Sequence, residues 1–275
     1  MLNIEKLLKT YNFNSFENKS FLASTWRITK RPNTFLSNIK GLKNILMLFY
    51  KKISNLYHQK IIIKDNTLIF YARFESSSSL GTILPIIKAY KNPKVLITNQ
   101  HTKPHAGDFQ IIELSSLFYN VNVERYFTLL YYSLKLGLGY RRITKEYIDF
   151  QLVSEYFMGY LSYESLKVSM NHSAKIVVDG DFEPVSRGLV CSVNKRGGTS
   201  FCLQHGTFGK HLFPTYVKKY IVWGEHFVTE LKKISESEID ILPLGYPRID
   251  AMYSNDRMSE YDFDYQKDYV LIISN

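Results

Sequence analysis

Three carboxylates and an arginine lie close together in one short segment, DGDFEPVSR, and these residue types could do acid–base chemistry. The segment directly follows a run of apolar residues that we predict to be a strand, and it opens a predicted helix. A carboxylate held in a cleft can act as a general base. Helix capping is an alternative for some of the acids, because acids in a first turn stabilise the helix dipole. We predict Asp179 and Asp181 as catalytic residues, and Glu183 and Arg187 as acceptor- or phosphate-binding residues.

A second polar segment, LQHGTFG, also comes directly after a predicted strand. Gly206 lets the backbone bend close to a ligand, and the Gln204 amide offers hydrogen bonds. His205 could act in acid–base chemistry or contact a phosphate. A lone histidine is usually structural, but a position between Gln204 and Gly206 at the end of a strand favours function. We predict His205 as catalytic, and Gln204 and Gly206 as acceptor- or phosphate-binding.

Three further turns follow predicted strands. The serine-rich loop at 76–81, with Ser79 and Gly81, could bring backbone N–H groups to an anion at a helix N-terminus. It lacks a GxGxxG fingerprint and the lysine of a P-loop, and a turn that only caps the helix is the alternative. The turns WGE and LGYPRID add Glu225 and Arg248 as acceptor- or phosphate-binding candidates, with turns chosen for shape as the alternative.

The elements that must position these turns alternate along the chain. Short apolar strands separated by helices are typical of an α/β, Rossmann-like, doubly wound parallel sheet. In such sheets ligands gather at the carboxyl ends of the strands. We predict strands at 67–71, 95–98, 110–114, 175–178, 200–203, 220–223, 239–242 and 269–274. We predict helices at 36–58, 82–90, 123–136 and 144–170.

The net charge of +10 is confined to one end of the 275-residue chain. Residues 1–64 hold 12 Lys or Arg against 2 acids, and the remainder is balanced. Within this segment, an apolar stripe runs along the predicted helix at 36–58, with lysines beside it: Leu42, Ile45, Leu46, Phe49, Ile53 and Leu56. Either the helix packs on its own core with the lysines in water, or it binds an anionic membrane surface.

Composition excludes several classes of protein. With 45% hydrophobic residues and no long low-complexity window, the chain is not globally disordered. It has neither an uncharged run of 18 apolar residues nor a secretory signal at its start. Cys191 and Cys202 lack metal-site spacing, and we expect two buried, reduced thiols and no metal. The localised charge and the absence of RNA-stacking motifs argue against a nucleic-acid partner.

The order of the motifs resembles one known family. The segments DGDFEPVSRGLVCSVNKRGGTSFCLQHGTFG, YIVWGE and LPLGYPRID are similar to GT-B-type glycosyltransferases that build bacterial surface and capsular polysaccharides. The resemblance implies a cytoplasmic enzyme that needs neither metal nor cofactor. The basic helix at 36–58 would place this enzyme at the inner face of the cell membrane. The substrates of the enzyme would be a nucleotide sugar and a saccharide or lipid-linked acceptor.

The resemblance also implies a domain division. Residues 1–64 would be a basic helical segment, 65–253 the N-terminal, acceptor-side domain of a GT-B fold, and 254–275 a linker with the first strand of the donor domain. By this interpretation the 275 residues alone are incomplete and inactive. Two other functions stay open: transfer of a polyol phosphate from a CDP-linked donor, and a non-catalytic sugar- or lipid-binding partner subunit.

Overall fold

A computed structural model describes residues 35–55, 59–72, 79–98, 109–144, 149–171, 173–204, 215–234 and 239–245. In this part of the chain seven strands form one sheet, in the order β3-β2-β1-β4-β5-β6-β7. Every neighbouring pair is parallel. The strands are β1 (Leu68–Ala72), β2 (Lys94–Thr98), β3 (Gln110–Glu113), β4 (Lys175–Val178), β5 (Thr199–Leu203), β6 (Lys219–Val222) and β7 (Asp240–Pro243).

Helices connect the strands and cover the sheet. Parallel neighbours need such crossover connections, since a hairpin can join only antiparallel strands. The described helices are α1 (Phe35–Ser54), α2 (Ser79–Ala89), α3 (Leu114–Leu117), a 3₁₀ turn (Phe118–Asn120), α4 (Val123–Thr144), α5 (Phe150–Ser169), α6 (Pro184–Lys195) and α7 (Glu225–Ile234). None of them is long and apolar enough to cross a bilayer.

The sheet is buried on both faces at its centre, where β1 has no exposed residue. Successive side chains of β1 point to opposite faces. Phe70 belongs to a cluster with Ile83 and Ile87 of α2. Ile69 and Tyr71 belong to the larger core on the other face, which holds the apolar side chains of α5, α6 and α7. The run LIFYA is apolar throughout because both faces of β1 are covered.

The strand order reverses beside β1. From β1 the chain moves outward to β2 and β3, and it then returns to place β4 on the free side of β1. Tyr71 lies opposite Val178 in this parallel pair, so both strands end at the same edge. A reversal of this kind leaves a crevice beyond the carboxyl ends of the two strands, which is where open α/β sheets bind ligands.

Helix α5 is the centre of the helical layer on the larger core. Most of its side chains are buried, and α1, α4 and α6 all pack against it. The ring of Phe157 on α5 stacks with Phe49 of α1 at 5.8 Å between centroids, and it meets Tyr126 of α4 edge-on at 5.2 Å. Helices α1 and α4 therefore form an outer layer over α5.

The sequence-predicted fold class is confirmed: the protein is α/β, with an all-parallel, Rossmann-like sheet. The first seven predicted strands lie within one residue of the observed ones, and the eighth, at 269–274, is outside the described residues. Four helix boundaries were wrong by three residues or more. Helix α1 ends at Ser54 rather than at 58, and α2 begins at Ser79 rather than at 82. Helix α4 continues to Thr144, and α5 begins only at Phe150, where the Asp149 carboxylate accepts hydrogen bonds from two backbone N–H groups of the first turn.

The predicted apolar stripe of α1 divides between two sides of the helix. Ile45 is buried against the core, whereas Leu46 and Ile53 are exposed, and Leu56 lies outside the described residues. Lys52, predicted to face water, is buried, and its Nζ donates to the Tyr119 carbonyl at 2.9 Å. The described part of residues 1–64 packs on the same core as the sheet. The charge balance of the sequence therefore changes at residue 64, whereas the described residues on both sides of it pack in the same core.

Candidate functional site

The carboxyl ends of the strands bring several predicted site residues to one edge of the sheet. Asp179 follows β4, Gln204 follows β5, and Trp223 follows β6. Gly245 follows β7, and its N–H donates to the carbonyl of Val222, the last residue of β6, at 3.3 Å. His205, Gly206 and Arg248 belong to the same turns in sequence, but they lie outside the described residues.

The crevice at the strand reversal lies between β1 and β4. Asp179 lies directly after Val178, at the end of β4, and is only partly buried. Helix α2 follows β1 and begins at Ser79, so the backbone of Ser79 and Gly81 forms the first turn of this helix. A helix N-terminus carries partial positive charge that favours an anion. The edge therefore combines a carboxylate with a helix terminus suited to a phosphate group.

Asp181 lies two residues further on and is buried in the fold. Its Oδ2 accepts hydrogen bonds from the Thr215 hydroxyl at 2.6 Å, from the Val217 N–H at 3.3 Å and from the Tyr216 N–H. Burial raises the pKa of the Asp181 carboxyl, while Arg187 and these donors lower it. The carboxylate thus binds the segment that leads into β6. This environment corrects the prediction of Asp181 as a base that meets an acceptor.

Arg187 is fully buried in the second turn of α6. Its Nε and one terminal nitrogen donate to the main-chain carbonyl of Asp181 at 3.3 and 3.2 Å, and the Nε lies 3.8 Å from Asp181 Oδ1. The guanidinium also lies over the Tyr216 ring, 5.1 Å from its centroid. Arg187 was predicted to bind acceptor or phosphate; instead it neutralises a buried carboxylate and holds a turn together.

Gln204 joins the ends of β5 and β6. Its Oε1 accepts from the Trp223 N–H at 3.0 Å, and its carbonyl accepts from the Trp223 indole N–H at 2.8 Å. Gln204 was predicted to bind acceptor or phosphate through its amide; the oxygen of that amide is instead used within the fold. Trp223 in turn packs edge-on against Phe227 of α7, at 5.4 Å between ring centroids.

The two remaining acids flank helices at the same edge. Glu183 precedes α6, and its carbonyl accepts from the Arg187 N–H at 2.9 Å and from the Ser186 hydroxyl at 3.0 Å. Pro184 occupies the first turn of this helix, where its fixed φ suits the helix and its missing N–H is not needed. Glu225 is exposed in the first turn of α7, where the helix dipole favours a carboxylate. Helix stabilisation accounts for Glu225 without a ligand.

The sequence analysis missed Thr215 and Tyr216 as partners of Asp181. No local pattern indicates them, because they reach Asp181 across 34 and 35 residues of chain. The prediction of two buried thiols is confirmed: Cys191 and Cys202 are free and buried. Burial raises the pKa of the Cys202 thiol, which keeps it neutral and unreactive.

A cavity of about 490 Å³ opens at the opposite, amino edge of the sheet. It is lined by the turns before β1, β2, β4 and β5, including Asn66, Lys175 and Gly197. Two of these turns require left-handed backbone, with φ of 59° at Asn66 and 77° at Gly197. Among the described residues, the lining contains no carboxylate, histidine or cysteine. The carboxyl edge is the candidate site because it holds Asp179 at the strand reversal beside β1.

The chain matches no protein-family model, no curated protein and no solved structure with which it was compared. The resemblance to glycosyltransferases therefore rests on the motifs alone.

Proposed function

We propose that the carboxyl edge of the sheet binds a hydroxyl-bearing acceptor in a glycosyltransferase, and that Asp179 is the general base. The acceptor would be a saccharide or a lipid-linked saccharide of the cell surface, and the donor a nucleotide sugar. The observation that carries the proposal is the position of Asp179, directly after β4 at the strand reversal beside β1.

The environments of the two aspartates favour Asp179 over Asp181 as the base. The Asp181 carboxylate is buried and accepts hydrogen bonds from three donors of residues 215–217, whereas Asp179 is only partly buried. A base must come within hydrogen-bond reach of the hydroxyl whose proton it takes. Asp179 would accept that proton as the acceptor oxygen bonds to the anomeric carbon and the nucleotide leaves with the electron pair.

The backbone at the start of α2 supports a phosphate-bearing substrate at the same edge. The first turn of α2, at Ser79 and Gly81, follows β1, the strand beside β4. The partial positive charge of this helix N-terminus would stabilise the negative charge of a phosphate on the acceptor or on the departing nucleotide. This arrangement serves transfer of a sugar and transfer of a polyol phosphate equally well, so the donor must be identified by experiment.

The test is nucleotide release by the protein together with the donor half that the resemblance implies, with UDP-, GDP- and CMP-sugars and with CDP-glycerol as donors and a cell-envelope saccharide extract as acceptor. We expect release from at least one sugar nucleotide, and Asp179→Asn should lower the rate by about 10²–10⁴-fold. The matched control is Asp240→Asn. Asp240 is exposed at the start of β7, at the opposite edge of the sheet, in a surface ion pair with Lys219.

Each outcome discriminates between functions. Release from CDP-glycerol alone would show that the enzyme transfers a polyol phosphate rather than a sugar. Wild-type turnover in the Asp179 variant would show that Asp179 is not the general base. Saccharide binding without release from any donor would support the non-catalytic partner subunit instead.

A further inference from the structure

The outer side of helix α1 exposes an unusual amount of apolar surface. Ile45 and Gly41 face the core, but the opposite side of the helix carries large side chains that remain open, including Phe35 at 80%, Tyr50 at 73% and Leu46 at 61% exposure. Eight large apolar side chains of α1 are exposed: Phe35, Leu36, Ile39, Leu42, Leu46, Met47, Tyr50 and Ile53. A contiguous exposed patch of this kind is rare on a protein that has no partner.

The patch continues from α1 onto the neighbouring helix α4. Phe49 of α1 contacts Phe127 of α4 with 5.1 Å between ring centroids. Phe127 is itself exposed, and so are Tyr131 and Leu138 further along the same helix. The two helices of the outer layer thus present one apolar surface, which we call the outer face.

Positive charge accompanies this outer face. Helix α1 contains four lysines and no acid. Lys51 lies 3.8 Å from Glu113, and Lys52 is buried, so Lys40 and Lys43 are the exposed lysines of α1. At about 3.6 residues per turn, the exposed apolar side chains share an arc of about 140°, which includes Lys43 and is bordered by Lys40.

We propose that the outer face of α1 and α4 docks on an anionic lipid bilayer. A wide apolar arc with lysines in and beside it is typical of helices that lie in the membrane interface. The lysine stems can lie along the apolar surface while their charges reach the lipid headgroups. Tyrosines at the outer face, Tyr50 and Tyr131, suit the headgroup level. A protein partner fits less well, because protein interfaces are depleted in lysine.

Co-sedimentation of the full chain with lipid vesicles tests the proposal. We expect binding to vesicles of phosphatidylcholine with phosphatidylglycerol at low ionic strength, loss of that binding at high salt, and none to phosphatidylcholine alone. The double variant Lys40→Gln/Lys43→Gln should lower the partition coefficient about 30-fold. The control variant Lys232→Gln/Lys233→Gln removes the same charge from the exposed side of α7. It should change the partition coefficient about threefold or less.

A second pair of variants tests the apolar contribution. Leu46→Ser/Tyr50→Ser should lower the partition coefficient about tenfold or more, since both side chains would enter the interface. The control Ile62→Ser removes an apolar side chain, 60% exposed, that lies outside α1 and α4. All these positions are exposed, so thermal unfolding of the variants should match that of the wild-type chain.

Three results would overturn the proposal. The first is no sedimentation with anionic vesicles at low ionic strength. The second is an equal loss from the two lysine pairs, or no loss from the apolar pair. The third is a lipid-free dimer, found by sedimentation equilibrium, that dissociates in Leu46→Ser/Tyr50→Ser, because the outer face would then bind a second copy of the chain.

Discussion

Arg187 is the largest side chain that is completely buried in the described structure. Its guanidinium lies between the Asp181 carboxylate and the Tyr216 ring, and Asp181 in turn binds the segment that leads into β6. The hydrogen bonds from residues 215–217 to Asp181 therefore tie the turn after β4 to a segment more than 30 residues away, and Arg187 places a positive charge beside that carboxylate. Within the DGDFEPVSR motif, Asp181 and Arg187 serve the fold, and Asp179 is the residue that we propose as the general base.

The structural role of Arg187 predicts a large effect on stability. Arg187→Met would leave the Asp181 carboxylate buried without its cation, and we expect the free energy of unfolding to fall by about 3–5 kcal/mol. The control is Arg125→Met, which breaks a partly exposed pair with Glu164 at 3.2 Å and should cost about 1 kcal/mol or less. Urea unfolding measures both. Equal losses in the two variants would contradict a structural role that is specific to Arg187.

The sequence predicts the position of the candidate site better than the role of each residue in it. Asp179, Gln204 and Trp223 share one edge because each follows a parallel strand, which a sequence pattern reveals. The burial of Asp181 and Arg187 was not predictable, because their contacts come from Tyr216 and its neighbours, far away along the chain. Contacts with distant parts of the chain bury these two side chains. Residues of a type suited to catalysis then stabilise the fold instead.

At the scale of elements, close helix packing depends on glycine. A Cβ atom at Gly188 of α6 would lie 2.2 Å from the Gly159 carbonyl oxygen of α5. At Gly41 of α1, it would lie 2.3 Å from the backbone of Phe150 at the start of α5. Both contacts are with main chain, which cannot rotate away as a side chain can. Helix α5 is therefore held on two sides by close backbone contact.

The close contact at Gly188 predicts that an alanine at this position destabilises the protein. Gly188→Ala should lower the free energy of unfolding by about 1–3 kcal/mol, because the helices must separate. This loss should exceed the gain of up to about 1 kcal/mol that alanine brings inside a helix. At Gly224 an added Cβ atom meets nothing within 4 Å, and Gly224→Ala should be neutral or slightly stabilising. A Gly188 variant as stable as the Gly224 variant would refute this packing.

The strands were predictable as elements because each is a short apolar run, whereas the ends and faces of the helices depend on their neighbours. Gly137 and Gly139 suggest a break after residue 136, yet α4 continues through both. Gly137 lies against Val153 of α5, so its small size serves packing. On α1, the periodic stripe predicts an apolar face, but only the structure reveals that Ile45 faces the core while Leu46 remains exposed.

At the scale of the whole molecule, the fold separates two surfaces. The carboxyl edge of the sheet holds Asp179 at the reversal beside β1, where an α/β sheet of this strand order binds ligands. The outer face of α1 and α4 lies on the helical layer and carries the exposed Lys40 and Lys43. The proposed site for transfer and the proposed surface for membrane docking can therefore be altered independently, which keeps their tests separate.

The central claim is that Asp179 serves chemistry while its neighbour Asp181 serves the fold. Thermal unfolding and nucleotide release, measured together on Asp179→Asn and Asp181→Asn, test it most directly. We expect Asp179→Asn to melt within about 3 °C of the wild type, with release lowered about 10²–10⁴-fold. Asp181→Asn should lower the melting temperature by about 5 °C or more, because Arg187 loses its buried partner. Wild-type turnover in Asp179→Asn, or wild-type melting in Asp181→Asn, would contradict the claim.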